Sequence, residues 1–258
     1  MGVIFLRNRV SGGAPAFDPA TLFAGGEGGV WYEPNPSTCF TDTAGTTAAG
    51  VGDAVARIND GSGNGNHATQ PTAAARPILR QTAGGSYYFE LDGVDDWLSA
   101  GDVTFLDGAA NATFAYGLQK PTSTAQRVPL SKWVTNVGPV YTLLVDYFSN
   151  SNRFFMGIST PRSGSDVADG SDAIYVAQKT STSLVVRKNA ASFISASVAA
   201  TFPDNSEPLA VGAKTENGNA SAFYANPIYA ILIIDRVLTA EELGNLESYL
   251  AEKSGVTL

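Results

Sequence analysis

From Gly29 onward, short segments rich in Tyr, Phe, Val and Ile alternate with clusters of Asn, Gly, Asp, Ser and Pro. That alternation constrains the fold more than any other feature. The apolar segments are "SYYFEL" (86–91), "ATFAYGLQ" (112–119), "VYTLLVDYF" (140–148), "NRFFMGIS" (152–159) and "AIYVAQK" (173–179). "SLVVRKN" (183–189), "ASFISASV" (191–198), "PLAVGA" (208–213) and "PIYAILIIDR" (227–236) complete the set. β-branched and aromatic residues between turn formers read as strands. Strands that follow one another without interleaved helices predict an all-β, antiparallel sandwich. In "AIYVAQK", Ile174 and Val176 share one side, with Tyr175 and Ala177 on the other. That pattern fits a strand buried on one face.

One helix stands out, at the C-terminus, in "LTAEELGNLESYLAEKSG". Thr239 at the N-cap and Glu242 three positions on form a capping box. Leu243, Leu246 and Leu250 recur on one face with Tyr249 beside them, and Gly255 lies just past the end. Gly244 costs this helix about 1 kcal/mol relative to alanine, so packing must hold it. It is expected to lie across one end or edge of the sandwich.

Several function classes are excluded at this level. The 258 residues carry 16 basic against 24 acidic side chains, a net charge of −8 with no basic cluster. Phosphate neutralisation dominates nucleic-acid binding, so nucleic acid is not an expected partner. Cys39 is the single cysteine, which leaves no intrachain disulfide and no thiolate zinc site. "MGVIFLRNRV" lacks the longer apolar stretch of a signal peptide, and "YAILII" (229–234) is too short to span a bilayer. The expectation is a soluble chain made in the cytosol, without membrane insertion.

Residues 1–26 differ from the rest. "VIFLRNRV" is apolar and basic, and "SGGAPAFDPATLFAGG" is rich in Gly, Pro and Ala. Such a segment reads as an arm with a linker ahead of a domain over 27–258. The arm is either a frayed terminus or first edge strand, or it docks on another subunit through Ile4, Phe5, Leu6, Arg7 and Arg9.

Catalytic chemistry finds little support. There is no Gly-x-Ser-x-Gly elbow. His67, the only histidine, sits in the glycine-rich stretch "INDGSGNGNHATQ" (58–70), which also lacks the lysine and following helix of a phosphate loop. Glu90-x-Asp92 in "FELDGVDDW" resembles a glycosidase carboxylate pair, but Gly93 breaks the strand and makes a turn the stronger reading. Calcium is the remaining option, because Asp60, Asn64 and Asn66 share one loop, Asp92, Asp95 and Asp96 another, and Asp166, Asp169 and Asp172 a third. Asn and Asp also populate turns for local reasons, which is the default reading here. Trp31, Tyr32, Trp97, Trp133 and the Tyr87–Tyr88 pair are candidates for stacking on sugar, although most fall in strand-like segments suited to the core.

Three segments in order resemble the concanavalin A-like, laminin-G-like jelly-roll proteins of tailed bacteriophages and prophages. They are "GVWYEPNPSTCF" through "INDGSGNGNHATQ" to "RPIL", then "FELDGVDDWL", then "LAVGAKTENGNASAFYANPIYAILIIDRVLTAEELGNLESYLAEKSGV". The resemblance covers roughly residues 22–258 and is weakest between 100 and 205. It implies a two-sheet jelly-roll sandwich with one C-terminal helix and an extended N-terminal arm. It further implies a non-enzymatic virion protein, made in the host cytoplasm, present in many copies or as a homo-oligomer, and attached to other virion proteins. Some laminin-G-like relatives hold calcium at the sandwich rim, and Asp60 and Asp95 lie in the matching turns. No cofactor is otherwise expected. The alternative function is a carbohydrate-binding module for host surface glycan, and a third reading is a jelly-roll depolymerase.

Overall fold

The computed structural model describes residues 17–122, 125–133, 141–148, 151–155, 169–199 and 201–258. Two eight-stranded sheets dominate it. In the first, the strands Ala191–Ser197, Ser183–Lys188, Asp172–Lys179, Ala112–Gln119, Ile228–Ile234, Tyr87–Glu90 and Ile78–Gln81 lie side by side, and Gly29–Tyr32 also pairs with Ile228–Ile234. The second runs through Ser151–Phe155, Tyr141–Phe148, Arg127–Trp133, Ala210–Val211, Leu98–Ser99, Ala68–Thr69, Arg57–Ile58 and Cys39–Phe40. Every strand pairing within the two sheets is antiparallel. The all-β sandwich with one C-terminal helix is therefore as the sequence implies.

The main core fills the space between the sheets. Phe114, Tyr116 and Leu118 enter it from one strand, Ile231 and Ile233 from the next, and Ile58, Leu98, Leu130 and Val211 from the opposing sheet. A second core lies on the other side of the first sheet. There Ala115, Ile174, Val176, Ala230, Leu232 and Ile234 meet Leu246, Leu250 and Ala251 of the helix Ala240–Ser254. This corrects two expectations. Ile174 and Val176 do oppose Tyr175 and Ala177, but both sides are buried. The helix covers the outer face of a sheet rather than an end or edge. The reason is physical: a strand such as "IYAILII", apolar at every position, has two faces to take out of water.

The helix begins and ends as its sequence dictates. Thr239 accepts from the Glu242 backbone N–H, Glu242 accepts from that of Thr239, and Gly255 closes the end at φ 71°. Arg187 grips Glu247 through two nitrogens, at 2.6 and 3.1 Å, which ties the helix to the Ser183–Lys188 strand. The strand Arg127–Trp133 is unsignalled in the sequence because it contains Pro129 and Lys132. The Lys132 ammonium is fully buried, and it is held by Asp102 at 2.6 Å and by the carbonyls of Asn205 and Glu207.

Residues 17–26, expected to be linker, belong to the folded body. Asp18 caps the 3₁₀ turn Pro19–Phe23, Leu22 and Phe23 join the second core, and Phe17 packs edge-on against Tyr249 at 6.1 Å. The proposed docking residues Ile4, Phe5, Leu6, Arg7 and Arg9 lie outside the described residues.

Candidate functional site

The helix packs on the Asp172–Lys179, Ala112–Gln119 and Ile228–Ile234 strands. Farther along the same sheet, toward its Ile78–Gln81 edge, alternation sends Leu79 and Phe89 into the main core. Ile78, Arg80, Tyr88 and Glu90 therefore share the outer face. The Ile228–Ile234 strand adds a register irregularity there. Ile228 pairs with Leu118 and Ala230 with the adjacent Gly117, so Tyr229 is the extra residue of a bulge. The result is a cleft of about 550 Å³ whose wall includes Tyr88, Glu90, Asp92, Asp96, Asn226 and Tyr229.

Tyr88 is the half-buried ring of this wall, and Tyr229 backs it with ring centroids 5.7 Å apart. The Tyr229 hydroxyl donates to Asp172 Oδ1 at 3.0 Å. Burial and that carboxylate push its pKa up, so it stays a proton donor. Asn226 donates to the Gln119 side-chain carbonyl at 3.2 Å, which fixes one amide pair at the rim. Glu90 is held by Arg80 at 2.7 Å.

The turn after Glu90 forms the rest of the wall. Asp92 Oδ1 accepts from the backbone N–H groups of Val94 and Asp95, and Asp96 Oδ2 accepts from that of Asp92. Arg127 reaches under the turn and donates to the Gly93 and Phe223 carbonyls at 2.8 Å each. Gly93 has φ +73°, and a Cβ there would stand 2.5 Å from Ala225 Cβ. Glycine is thus required twice over, by conformation and by space. Asp96 is buried, and that burial, with Asp92, Asp95 and Glu90 nearby, pushes its pKa up to about 6. The sequence showed Asp96 only as the second half of an Asp-Asp pair, and its burial had no local signal.

The two candidate calcium ligands part company. Asp95 joins Asp92 and Asp96, with a carboxylate oxygen from each inside a 4.8 Å cluster, the one such group among the described residues. Asp60 lies outside that cluster. Its Oδ1 accepts from the N–H groups of Trp31 and Ser62, and its Oδ2 from the Ser62 hydroxyl and the Asn66 N–H. Four donors point at this carboxylate, so a cation would have to displace them, and Asp60 does not fit a metal ligand. Asp60 instead organises the glycine-rich loop, in which Asn64 and Asn66 both donate to the Gly29 carbonyl and Tyr32 donates to that of Asn66. Gly63 and Gly65 supply the positive φ angles.

His67 completes that loop by accepting the Asp60 N–H on Nδ1 at 3.0 Å. Burial and Arg57 lower its pKa. A histidine with a folded pKa below its unfolded value contributes stability that is present above the unfolded pKa. That stability is lost as pH falls through this value toward the folded one. Protonation turns Nδ1 from acceptor to donor and releases the Asp60 N–H. Amide exchange at Asp60 is expected to accelerate as pH drops below about 6.5, after correction for intrinsic exchange chemistry. His67→Gln, whose amide oxygen can accept in place of Nδ1, is expected to remove that dependence. An unchanged profile in the variant would refute the tether. Asp96 has a raised pKa and acts with the opposite sign, losing stability as pH rises toward about 6, so the readout must be local.

Of the remaining aromatic candidates, Trp31, Tyr32 and Tyr87 serve packing. Trp31 packs against the second core and meets Tyr249 at 6.4 Å, Tyr32 is buried, and Trp97, half-buried, donates its backbone N–H to the Ala75 carbonyl. Of the tyrosine pair, Tyr87 leans on the main core and Tyr88 faces the cleft. The side chain of Trp133 and the whole of Asp166 lie outside the described residues.

No protein-family model matches the sequence, and no curated protein matches it. Solved structures do share its fold. Domain 4 of AbnA, a GH43 extracellular arabinanase from Geobacillus stearothermophilus solved with arabinotriose, superposes with a TM-score of 0.50 at 13% identity. That match covers 66% of this chain and 81% of that one. The binding domain of Paraclostridial Mosquitocidal Protein 1 gives 0.55 at 11% identity, over 78% of this chain and 51% of that one. The binding domain of botulinum neurotoxin DC, solved with SialylT, gives 0.52 at 10% identity, over 75% and 48%. The chain spans about half the length of the two toxin domains. At these identities the likeness shows the fold alone, a β-sandwich.

Proposed function

We propose that this protein is a carbohydrate-binding module whose site is the Tyr88 cleft. The observation that carries the reading is a half-exposed tyrosine ring set among fixed carboxylates and an amide pair on a rigid sheet face. A flat ring packs on the apolar face of a sugar, and the flanking oxygens accept from its hydroxyls. The neighbours solved with arabinotriose and with SialylT support the choice of glycan as ligand class. Binding without catalysis fits the local geometry, in which Glu90 is engaged by Arg80 and Asp92 caps its own turn. A glycan array probed with residues 17–258, with and without calcium, is expected to return a small set of related oligosaccharides. Signal no higher than background under both conditions would reject the reading. A requirement for calcium would point to the Asp92, Asp95 and Asp96 cluster.

The resemblance of the motifs to phage jelly-roll proteins supplies a setting for such a module, display on a virion in many copies, where avidity amplifies weak binding. This setting rests on the motifs alone. Since Asp18 and Leu22 are part of the body, the arm to test is residues 2–16. Its deletion is expected to abolish incorporation into the particle and leave the sandwich folded. Normal incorporation would remove the arm from the account.

A further inference from the structure

The charge around the cleft narrows the ligand further, on the premise that the cleft is the glycan site. Glu90, Asp92 and Asp96 line it, and Asp95 sits with the last two in a cluster 4.8 Å across. Asp172 lies behind Tyr229 as the acceptor of its hydroxyl. The guanidinium groups at the cleft are engaged, Arg80 by Glu90 at 2.7 Å and Arg127 by the Gly93 and Phe223 carbonyls at 2.8 Å. Four carboxylates, Glu90, Asp92, Asp95 and Asp96, thus lie at or beside the cleft against the two guanidinium charges of Arg80 and Arg127. The whole chain adds a net −8 to the field that an approaching ligand meets.

Such a site treats charged sugars unequally. A uronate or sialate would bring a carboxylate toward carboxylates, with no Lys or Arg among the described residues that line the cleft to receive it, and like charges at that range repel. A sugar ammonium gains twice. It is attracted by the carboxylates, and it is attracted by the electron-rich face of Tyr88.

We infer that the Tyr88 cleft selects oligosaccharides bearing free amino groups, of the glucosamine type, over neutral and acidic ones. Calorimetric titration of the full chain at pH 6.5, low salt and with a chelator present tests this with three tetramers. They are of glucosamine, of N-acetylglucosamine and of galacturonate. The glucosamine tetramer is expected to bind at least about tenfold tighter than its acetylated counterpart, with the galacturonate tetramer weakest. Asp92→Asn keeps an oxygen to cap the turn and removes one charge, and is expected to reduce that ratio to about threefold. Equal affinities, tighter binding of the galacturonate tetramer, or a ratio unmoved by Asp92→Asn would overturn the selectivity and leave the glycan site standing. Failure of all three tetramers and of every glycan on the array would sink both.

Discussion

Replacing Tyr88 with alanine is expected to weaken glycan binding by about 30-fold, the ~2 kcal/mol of a hot-spot aromatic. The thermal midpoint should move by only a few degrees. Tyr88 is half-buried on a short strand near the sheet edge, and beyond the sugar it contributes chiefly to the contact with Tyr229. An aromatic pair of that kind is worth about 0.5–1.5 kcal/mol. Tyr88→Phe keeps the ring and is expected to retain most of the affinity, which separates stacking from hydrogen bonding through the phenol. If Tyr88→Ala binds like the parent, the ring is not the platform and the cleft is misassigned.

Gly93→Ala is expected to cost about 3 kcal/mol of stability, because it combines a left-handed backbone with overpacking. The Cβ would fall 2.5 Å from Ala225 Cβ and 3.0 Å from Arg127 Nη1, on the segment that forms the far wall of the cleft. For a domain of this size the midpoint of thermal unfolding should drop by roughly 10 °C. Glycan affinity should fall with it, since the Asp92–Asp96 turn and Asn226 shift apart. Ala225→Gly removes one of the two clashing carbons, and in the double variant part of the loss should return. A neutral Gly93→Ala, or a double variant with strictly additive losses, would show that the turn is not pinned as described.

Gly93 also shows how much of the molecule is legible in its sequence. The "DGVDD" motif announced a turn, and the turn is there with its positive φ, because turn chemistry is local. The capping box of the helix and the paired faces of "AIYVAQK" were readable for the same reason. What the sequence could not show is which outer surfaces meet. Nothing local says that Tyr88 of one strand and Tyr229 of another, 141 positions later, form one wall. Nor is the single-residue bulge that offers Tyr229 to the cleft written in "PIYAILII". The helix was read correctly and docked wrongly, because its partner face is composed of three strands distant from one another in the chain. The local-turn reading of Asp60 was legible in its loop, but the full set of its donors was not. One of the donors that engage its carboxylate comes from Trp31, twenty-nine residues earlier.

The cleft itself is open to one decisive measurement, the crystal structure of residues 17–258 soaked with the tightest oligosaccharide from the array. The account predicts one sugar ring lying flat on Tyr88, with its polar groups within hydrogen-bond distance of Glu90, Asp92 or Asn226. A sugar bound on another face, with Tyr88 and the Asp92–Asp96 turn untouched, would contradict it.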